Sequence, residues 1–355
     1  MSRVILNKVT KSFDDFVALH ELDLDIQEGE FLTLLGPSGC GKTTTLRLIA
    51  GFIEPTNGTI LLGDQDVTQV APQHREIGMV FQDYALFPHM TIADNIGFGL
   101  KERRYPKKDI NDRVRELLDL IRLPEVHDRY PAEVSGGQQQ RIAVARAVAY
   151  PPKVLLMDEP LGALDLKLRE TMQIELRRIQ QELEITTIYV THDQIEAMNM
   201  SDRIVVMNAG RIEQMGSAEE IYNAPQTRFV ADFVGQINLF DAIIKKETPE
   251  YLVMSIAGTD IRAPLSSAKM EGEISIGVRP EHINLVDTAE LSSANNSLTG
   301  TLVGRTFTGN LTRLFIDVGL DKPVVVETKP QNAPSTIGSN VTLSWPVELS
   351  TILPG

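Results

Sequence analysis

The sequence holds a single cysteine, Cys40, so no internal disulfide can form. A lone thiol fits a reducing compartment rather than a disulfide-stapled secreted fold. Long apolar runs are missing too. Nothing approaches the ~18 residues a membrane-crossing helix needs, and the N-terminus, MSRVILNKVTKSF, lacks the apolar core of a signal peptide. Any service to a membrane is therefore expected from the cytoplasmic side, through a partner. Positive charge is in short supply: 34 Lys and Arg face 48 Asp and Glu, for a formal net charge of −14. This argues against a nucleic-acid partner, since such binding needs a basic face against the phosphates. His20, His74, His89, His127 and His282 show no metal-ligand spacing and read as surface or packing residues.

What is present is an ordinary globular composition, 42% apolar and 23% charged, over 355 residues, enough for two or three domains. Short apolar runs alternate with helical patterns over the first two-thirds, which predicts an α/β domain with a largely parallel sheet. Phe31–Leu35, Val154–Met157 and Thr187–Val190 read as buried strands. The last two end in Asp158-Glu159 and Thr191-His192-Asp193. Ligands gather at the carboxyl ends of parallel strands, so these polar residues are expected to meet in space. Val114, Leu117, Leu118 and Ile121 form a helical stripe, as do Leu168, Met172, Leu176, Ile179 and Leu183. Residues 86–150 carry helical patterns without a convincing strand and read as a helical subdomain. After about Gly235 the pattern becomes short alternating segments such as Ile274–Val278 and Arg313–Val318, split by Gly, Pro, Asn and Asp. That predicts a small all-β domain, a barrel or sandwich. The expected domains are 1–236 and 237–355.

Gly36-Pro37-Ser38-Gly39-Cys40-Gly41-Lys42-Thr43 follows a strand and precedes the helical Thr44-Thr45-Leu46-Arg47-Leu48-Ile49. The pattern G-x-x-x-x-G-K-[ST] in that context is a phosphate cradle. Its glycines let backbone N–H groups turn toward phosphate oxygens, and the helix adds its positive end. Lys42 is expected on the β- and γ-phosphates, and the Thr43 hydroxyl on Mg²⁺. Asp158, ending an apolar strand, is the second expected Mg²⁺ ligand. Glu159 is placed to polarise a water for attack on the γ-phosphate. On its own the acidic strand end is ambiguous; the cradle gives it meaning. Cys40 lies inside the cradle, so its alkylation is expected to inactivate and ATP to protect.

Val134-Ser135-Gly136-Gly137-Gln138-Gln139-Gln140-Arg141 makes the reading specific. Over residues 1–236 the chain resembles the ATP-binding-cassette ATPases, whose signature is usually Leu-Ser-Gly-Gly-Gln; Val134 replaces the Leu. The physical content of Ser135, Gly136, Gly137 and Gln138 is a second helix N-terminus open to an anion. The resemblance implies that this end faces the γ-phosphate held by a second copy, so that a homodimer closes around two ATP molecules. It further implies that Phe13 stacks on adenine, and that Gln82 senses Mg²⁺, the attacking water and the membrane subunit. Asp165, in Leu161-Gly162-Ala163-Leu164-Asp165, would speak across the dimer, and His192 would contact the γ-phosphate. Singly, Phe13, Gln82 and His192 each have a bland reading; their joint order favours the functional one.

The last third resembles the OB-like β-domain of importer ATPases that work with a solute-binding protein, with Ser275–His282 as a recurrent strand and turn. Glu30–Leu35, Phe233–Phe240 and Trp345 look most like spermidine/putrescine import ATPases. Ferric-iron, sugar and phosphonate importers share much of this, and a ligand-sensing ATP-binding regulator is the rival from another class. The resemblance implies two transmembrane permease subunits, an indirect solute-binding protein, and a peripheral place on the cytoplasmic face of the inner membrane.

Overall fold

A computed structural model describes residues 2–265, 274–287 and 294–354. The chain divides into two compact units, Met1–Glu219 and Glu220–Gly355.

The first unit opens with the antiparallel hairpin β1 (Val4–Phe13) and β2 (Phe16–Ile26). β3 (Phe31–Leu35) is buried at every position and feeds α1 (Lys42–Ala50). β4 (Asn57–Leu62) and β5 (Gln65–Asp66) complete a four-stranded sheet in the order β2-β1-β4-β5. Between β6 (Ile77–Val80) and β7 (Val154–Asp158) the regular elements are all helical. They include α2 (Ile92–Glu102), α3 (Lys107–Leu120) and α4 (Gly136–Val148). After β7 come α5 (Leu166–Leu183), β8 (Thr186–Thr191), α6 (Gln194–Met200), β9 (Arg203–Asn208) and β10 (Arg211–Gly216). The second sheet has the order β10-β9-β3-β8-β7-β6, parallel except for its β10 edge.

Burial on both faces explains the unbroken apolar runs of β3, β7 and β8. Strand alternation then divides their side chains between two cores. Leu155, Met157 and Tyr189 pack with Val114, Leu117, Val144 and Leu176 of the helices. Leu156, Ile188 and Val190 pack with Leu46 and Ile49 of α1 and with Leu6 and Leu24 of the first sheet. Ladder register decides what reaches the sheet's edge. Leu35 lies opposite Thr191, and Val190 opposite Asp158, so all three strands finish level at one end.

The division between units falls inside α7 (Ala218–Asn223), ahead of the composition change near Gly235. Arg279 gives the reason. Its guanidinium donates to the carbonyls of Val234 (2.7 Å), Gln236 (3.2 Å) and Tyr222 (2.8 Å), and lies over the Tyr222 ring. These bonds cap α8 (Arg228–Phe233) and tie it to the β-domain. The second unit then builds two antiparallel five-stranded sheets. β11 (Asn238–Glu247), β12 (Tyr251–Ile256), β13 (Thr259–Pro264) and β14 (Ile274–Val278) belong to the first sheet. β15 (Asn284–Val286), β16 (Asn295–Phe307), β17 (Thr312–Asp317), β18 (Val324–Thr328) and β19 (Asn340–Pro346) form the second, and β20 (Thr351–Pro354) returns to β14. They share one core around Phe240, Met254, Ile276, Leu314 and Trp345. The buried Trp345 indole donates to Ser350 Oγ (2.9 Å), so its polar end is satisfied.

Candidate active site

The loop after β3 curls back on itself. Gly41 sits at φ 108°, where an L side chain is strained, and a Cβ there would lie 2.5 Å from Leu19 Cδ2. At Gly36 the constraint is space: a Cβ would fall 2.3 Å from the Met207 carbonyl oxygen. Lys42 is buried and donates to the carbonyls of Gly36 (2.7 Å) and Pro37 (3.0 Å). Its ammonium thus lies over the cradle, while Ser38 and Gly39 are exposed along the rim. Cys40 Sγ is 3.9 Å from Lys42 Nζ; burial pushes this thiol up from its ordinary pKa. The loop is fastened from outside by Gly210 N–H, which donates to the Cys40 carbonyl (3.0 Å). Thr44 is half-buried in the first turn of α1.

Level strand ends bring the acidic residues to this loop. Thr43 Oγ1 donates to Asp158 Oδ1 at 3.1 Å. Burial, reinforced by the neighbouring Glu159 charge and opposed by the Thr43 hydrogen bond, holds the Asp158 carboxyl above the usual carboxylate range. Glu159 sits at φ 45°, a left-handed conformation costing a non-glycine residue about 1–2 kcal/mol. Its N–H donates to the Val190 carbonyl (3.0 Å), and its Oε2 lies 3.1 Å from His192 Nδ1. The strain is the local cost of turning this carboxylate toward β8. Gln82 is exposed just past β6; its Nε2 is 4.0 Å from where a Cβ on Gly162 would stand.

The remaining sequence-selected residues occupy other places. Phe13 is 45% exposed at the tip of the first hairpin, opposite Phe16, with Lys11 Nζ 4.7 Å from its ring centroid. Ser135 caps α4, and Ser135 and Gln138 form a reciprocal capping box. A Cβ on Gly136 would stand 3.3 Å from Leu164, and one on Gly137 would meet Leu168 and Met172. The start of α4 therefore packs beside the loop ending at Asp165, which caps α5 through Leu168 N–H (3.0 Å). Among the described residues, no hydrogen bond ties Ser135 or Gln138 to residues 36–44 or to Glu159.

A hydroxyl and a carboxylate in contact are hard oxygen donors of the kind Mg²⁺ takes, and a cation there would relieve the buried Asp158 charge. Among the described residues no group of three or more His, Cys, Asp and Glu forms a metal cage. The pair therefore suits a cation whose other ligands are water and phosphate.

Sequence reasoning passed over Arg169 and Glu196. Glu196 is 3% exposed, and its Oε2 accepts from Tyr189 OH and Thr191 Oγ1, both at 2.7 Å. Asp193 caps α6 through Ile195 and Glu196 N–H. The D-x-x-E spacing of Asp193 and Glu196 was the available signal, an N-cap followed by an acid in the first turn.

A cradle, a hydroxyl–carboxylate pair and a poised glutamate at the carboxyl edge of a parallel sheet define a phosphate-loop NTPase. Comparison with known proteins narrows the class. The ABC transporter family profile matches residues 19–162, and the TOBE domain profile residues 276–353. A spermidine/putrescine import ATP-binding protein, PotA, of Thermobifida fusca is 46% identical over 362 residues, covering 99% of this chain and 94% of that protein. PotA of Vibrio parahaemolyticus is 46% identical over 96% of this chain and 91% of its own length. PotA of Acidothermus cellulolyticus is 55% identical over 76% of this chain and 71% of its own. The solved structure of cbiO1 from Clostridium perfringens, part of the ABC transporter complex cbiONQ, superposes with a TM-score of 0.58 at 30% identity, covering 61% of this chain and 89% of that one. The chain belongs to the ABC transporter family, as an ATPase with a C-terminal TOBE domain. No helix among the described residues is long and apolar enough to cross a membrane.

Proposed function

We propose that this chain binds and hydrolyses ATP as one half of a homodimer and so energises a polyamine importer built on two transmembrane permease subunits. The observation that supports the ATPase reading is the level strand end: Thr43 of the cradle donates to Asp158, and the next residue, Glu159, faces His192. The solute rests on the names of the relatives, which cover nearly the whole chain. A solute-binding protein would deliver cargo to the permeases, with this chain on the cytoplasmic face of the membrane.

In the reaction, Lys42 leaves the Gly36 and Pro37 carbonyls for the β- and γ-phosphates, and the amides of residues 38–44 line the cradle. Thr43, Asp158 and Gln82 would hold Mg²⁺, which would neutralise phosphate charge. Glu159 accepts the proton of the attacking water, and His192 fixes the orientation of Glu159 and meets the γ-phosphate. Phe13 stacks on the adenine. Ser135, Gly136, Gly137 and Gln138 act on the nucleotide of the facing copy, a reading supported by the exposure of Ser135 and by the lack, among the described residues, of a hydrogen bond from it to residues 36–44. Asp165 lies between the two centres. Residues 86–150, with Gln82, form the permease contact.

Reconstitution with the permease subunits in liposomes tests the reading. ATP hydrolysis and uptake of labelled spermidine or putrescine that both depend on the binding protein would bear it out. Coupling to ferric iron or a sugar instead would remove the polyamine assignment while leaving the ATPase standing.

A further inference from the structure

Arg169, on the first turns of α5, bridges the Leu161–Asp165 loop and the turn carrying His192. Its Nη2 donates to the carbonyl of Leu164, the residue before Asp165 (3.0 Å). Its Nη1 donates to Oδ2 of Asp193, the residue after His192 (3.1 Å). Its Nε lies 3.7 Å from Glu196 Oε1, in ion-pair range but beyond a hydrogen bond. Glu196 in turn accepts from Oγ1 of Thr191, the residue before His192, and Thr191 Oγ1 accepts from Asp193 N–H (3.0 Å). Both neighbours of His192 are thus fixed to one largely buried assembly, while His192 itself is exposed and faces Glu159. We infer that Arg169 is a positioning residue that couples the Leu161–Asp165 loop to His192, so that ATP turnover depends on a side chain that touches no substrate.

The chemistry favours arginine here. A planar fork presents its donors in fixed directions, so two anchors on different segments cannot move independently without losing a bond. Lysine supplies the charge but not the fork. Burial holds the Glu196 carboxyl above its ordinary range, so ordering it as an anion draws on the neighbouring cation and the two hydroxyl donors. The coupling rests on the proposed role of His192 at the γ-phosphate.

The test compares Arg169→Gln, with Arg169→Lys as a second variant should the first fail to fold, against wild type in full-length protein. Expected are a kcat for ATP lowered at least about tenfold, a KM within about twofold, and partial recovery in Arg169→Lys. In a His192→Ala background the same substitution should change kcat less than about twofold, because the effect passes through His192. Amide hydrogen exchange of the ligand-free protein should quicken in both 161–165 and 191–193. Wild-type kcat in Arg169→Gln, an equal loss in both backgrounds, or unchanged exchange in either segment overturns the inference. Should wild type itself hydrolyse no ATP, the proposed function falls, and the exchange experiment alone decides this one.

Discussion

Thr43 Oγ1 donates to Asp158 Oδ1 across 3.1 Å although 115 positions separate them in the chain. The bond joins the first turn of α1 to the last residue of β7, the two places where the proposed Mg²⁺ would find oxygen ligands. It also leaves a carboxyl whose ionised form is penalised by burial.

That penalty has a sign. A carboxyl whose folded-state pKa is raised stabilises the fold below its unfolded pKa, and the advantage is lost as pH rises through the folded value. At neutral pH the ionised Asp158 is a burden in the ligand-free protein. Asp158→Asn is expected to raise Tm near pH 7. The gain should shrink as pH falls toward the ordinary carboxylate range, and stabilisation by Mg²⁺ with ADP should vanish. Thermal melts across pH, with and without Mg²⁺, check both.

Glu159→Gln keeps the shape but removes the proposed base. Hydrolysis is expected to fall about 10²–10⁴-fold while ATP binding persists. Size-exclusion chromatography with ATP should then capture a closed dimer. Turnover at the wild-type rate would take the base role away from this residue.

Ser135→Arg puts bulk and charge at the exposed, capped start of α4. Nucleotide affinity of the isolated monomer should stay within a few-fold, while hydrolysis falls about 10²-fold or more. Equilibrium binding of a fluorescent ATP analogue separates the two. Weakened monomer affinity would assign Ser135 to its own site.

Cys40 is 3% exposed and its thiol is pushed up by burial, so the reactive thiolate is scarce at neutral pH. Maleimide labelling should be slow at pH 7, speed up by roughly tenfold per pH unit, abolish activity, and be blocked by ATP. Full activity after stoichiometric labelling would refute this.

In the second unit, Ala257 and Gly258 join β12 to β13 at φ 49° and 80°. Two left-handed residues make the hairpin turn in which Asn-Gly is preferred. Ala257→Asn should therefore stabilise that unit by roughly 1 kcal/mol, read as a shift in its denaturation midpoint.

Much of this was legible in one dimension because it depends on local spacing. β3, β7 and β8 announced themselves as apolar runs ending in polar residues, and the cradle as glycines before Lys42. Arg169 was not legible, and Glu196 only as the acid of a helix cap, since an arginine four residues into a helix and a glutamate in a first turn have many ordinary explanations. What sets them apart is a meeting between α5 and α6, which no spacing encodes. The start of the second unit was likewise obscured: α8 reads as a continuation of the first domain until Arg279, far along the chain, is seen capping it.

The α/β alternation, the phosphate loop, the signature Ser135–Gln138 and the carboxylates Asp158 and Glu159 were all set by neighbouring residues alone, because backbone periodicity and glycine placement are local properties. That Asp158 meets Thr43 of the cradle while Glu159 faces His192 was decided in three dimensions, through ladder register. One slipped residue in a parallel pair would turn Asp158 to the opposite face of the sheet, and that register is held by the two apolar cores packed on either side.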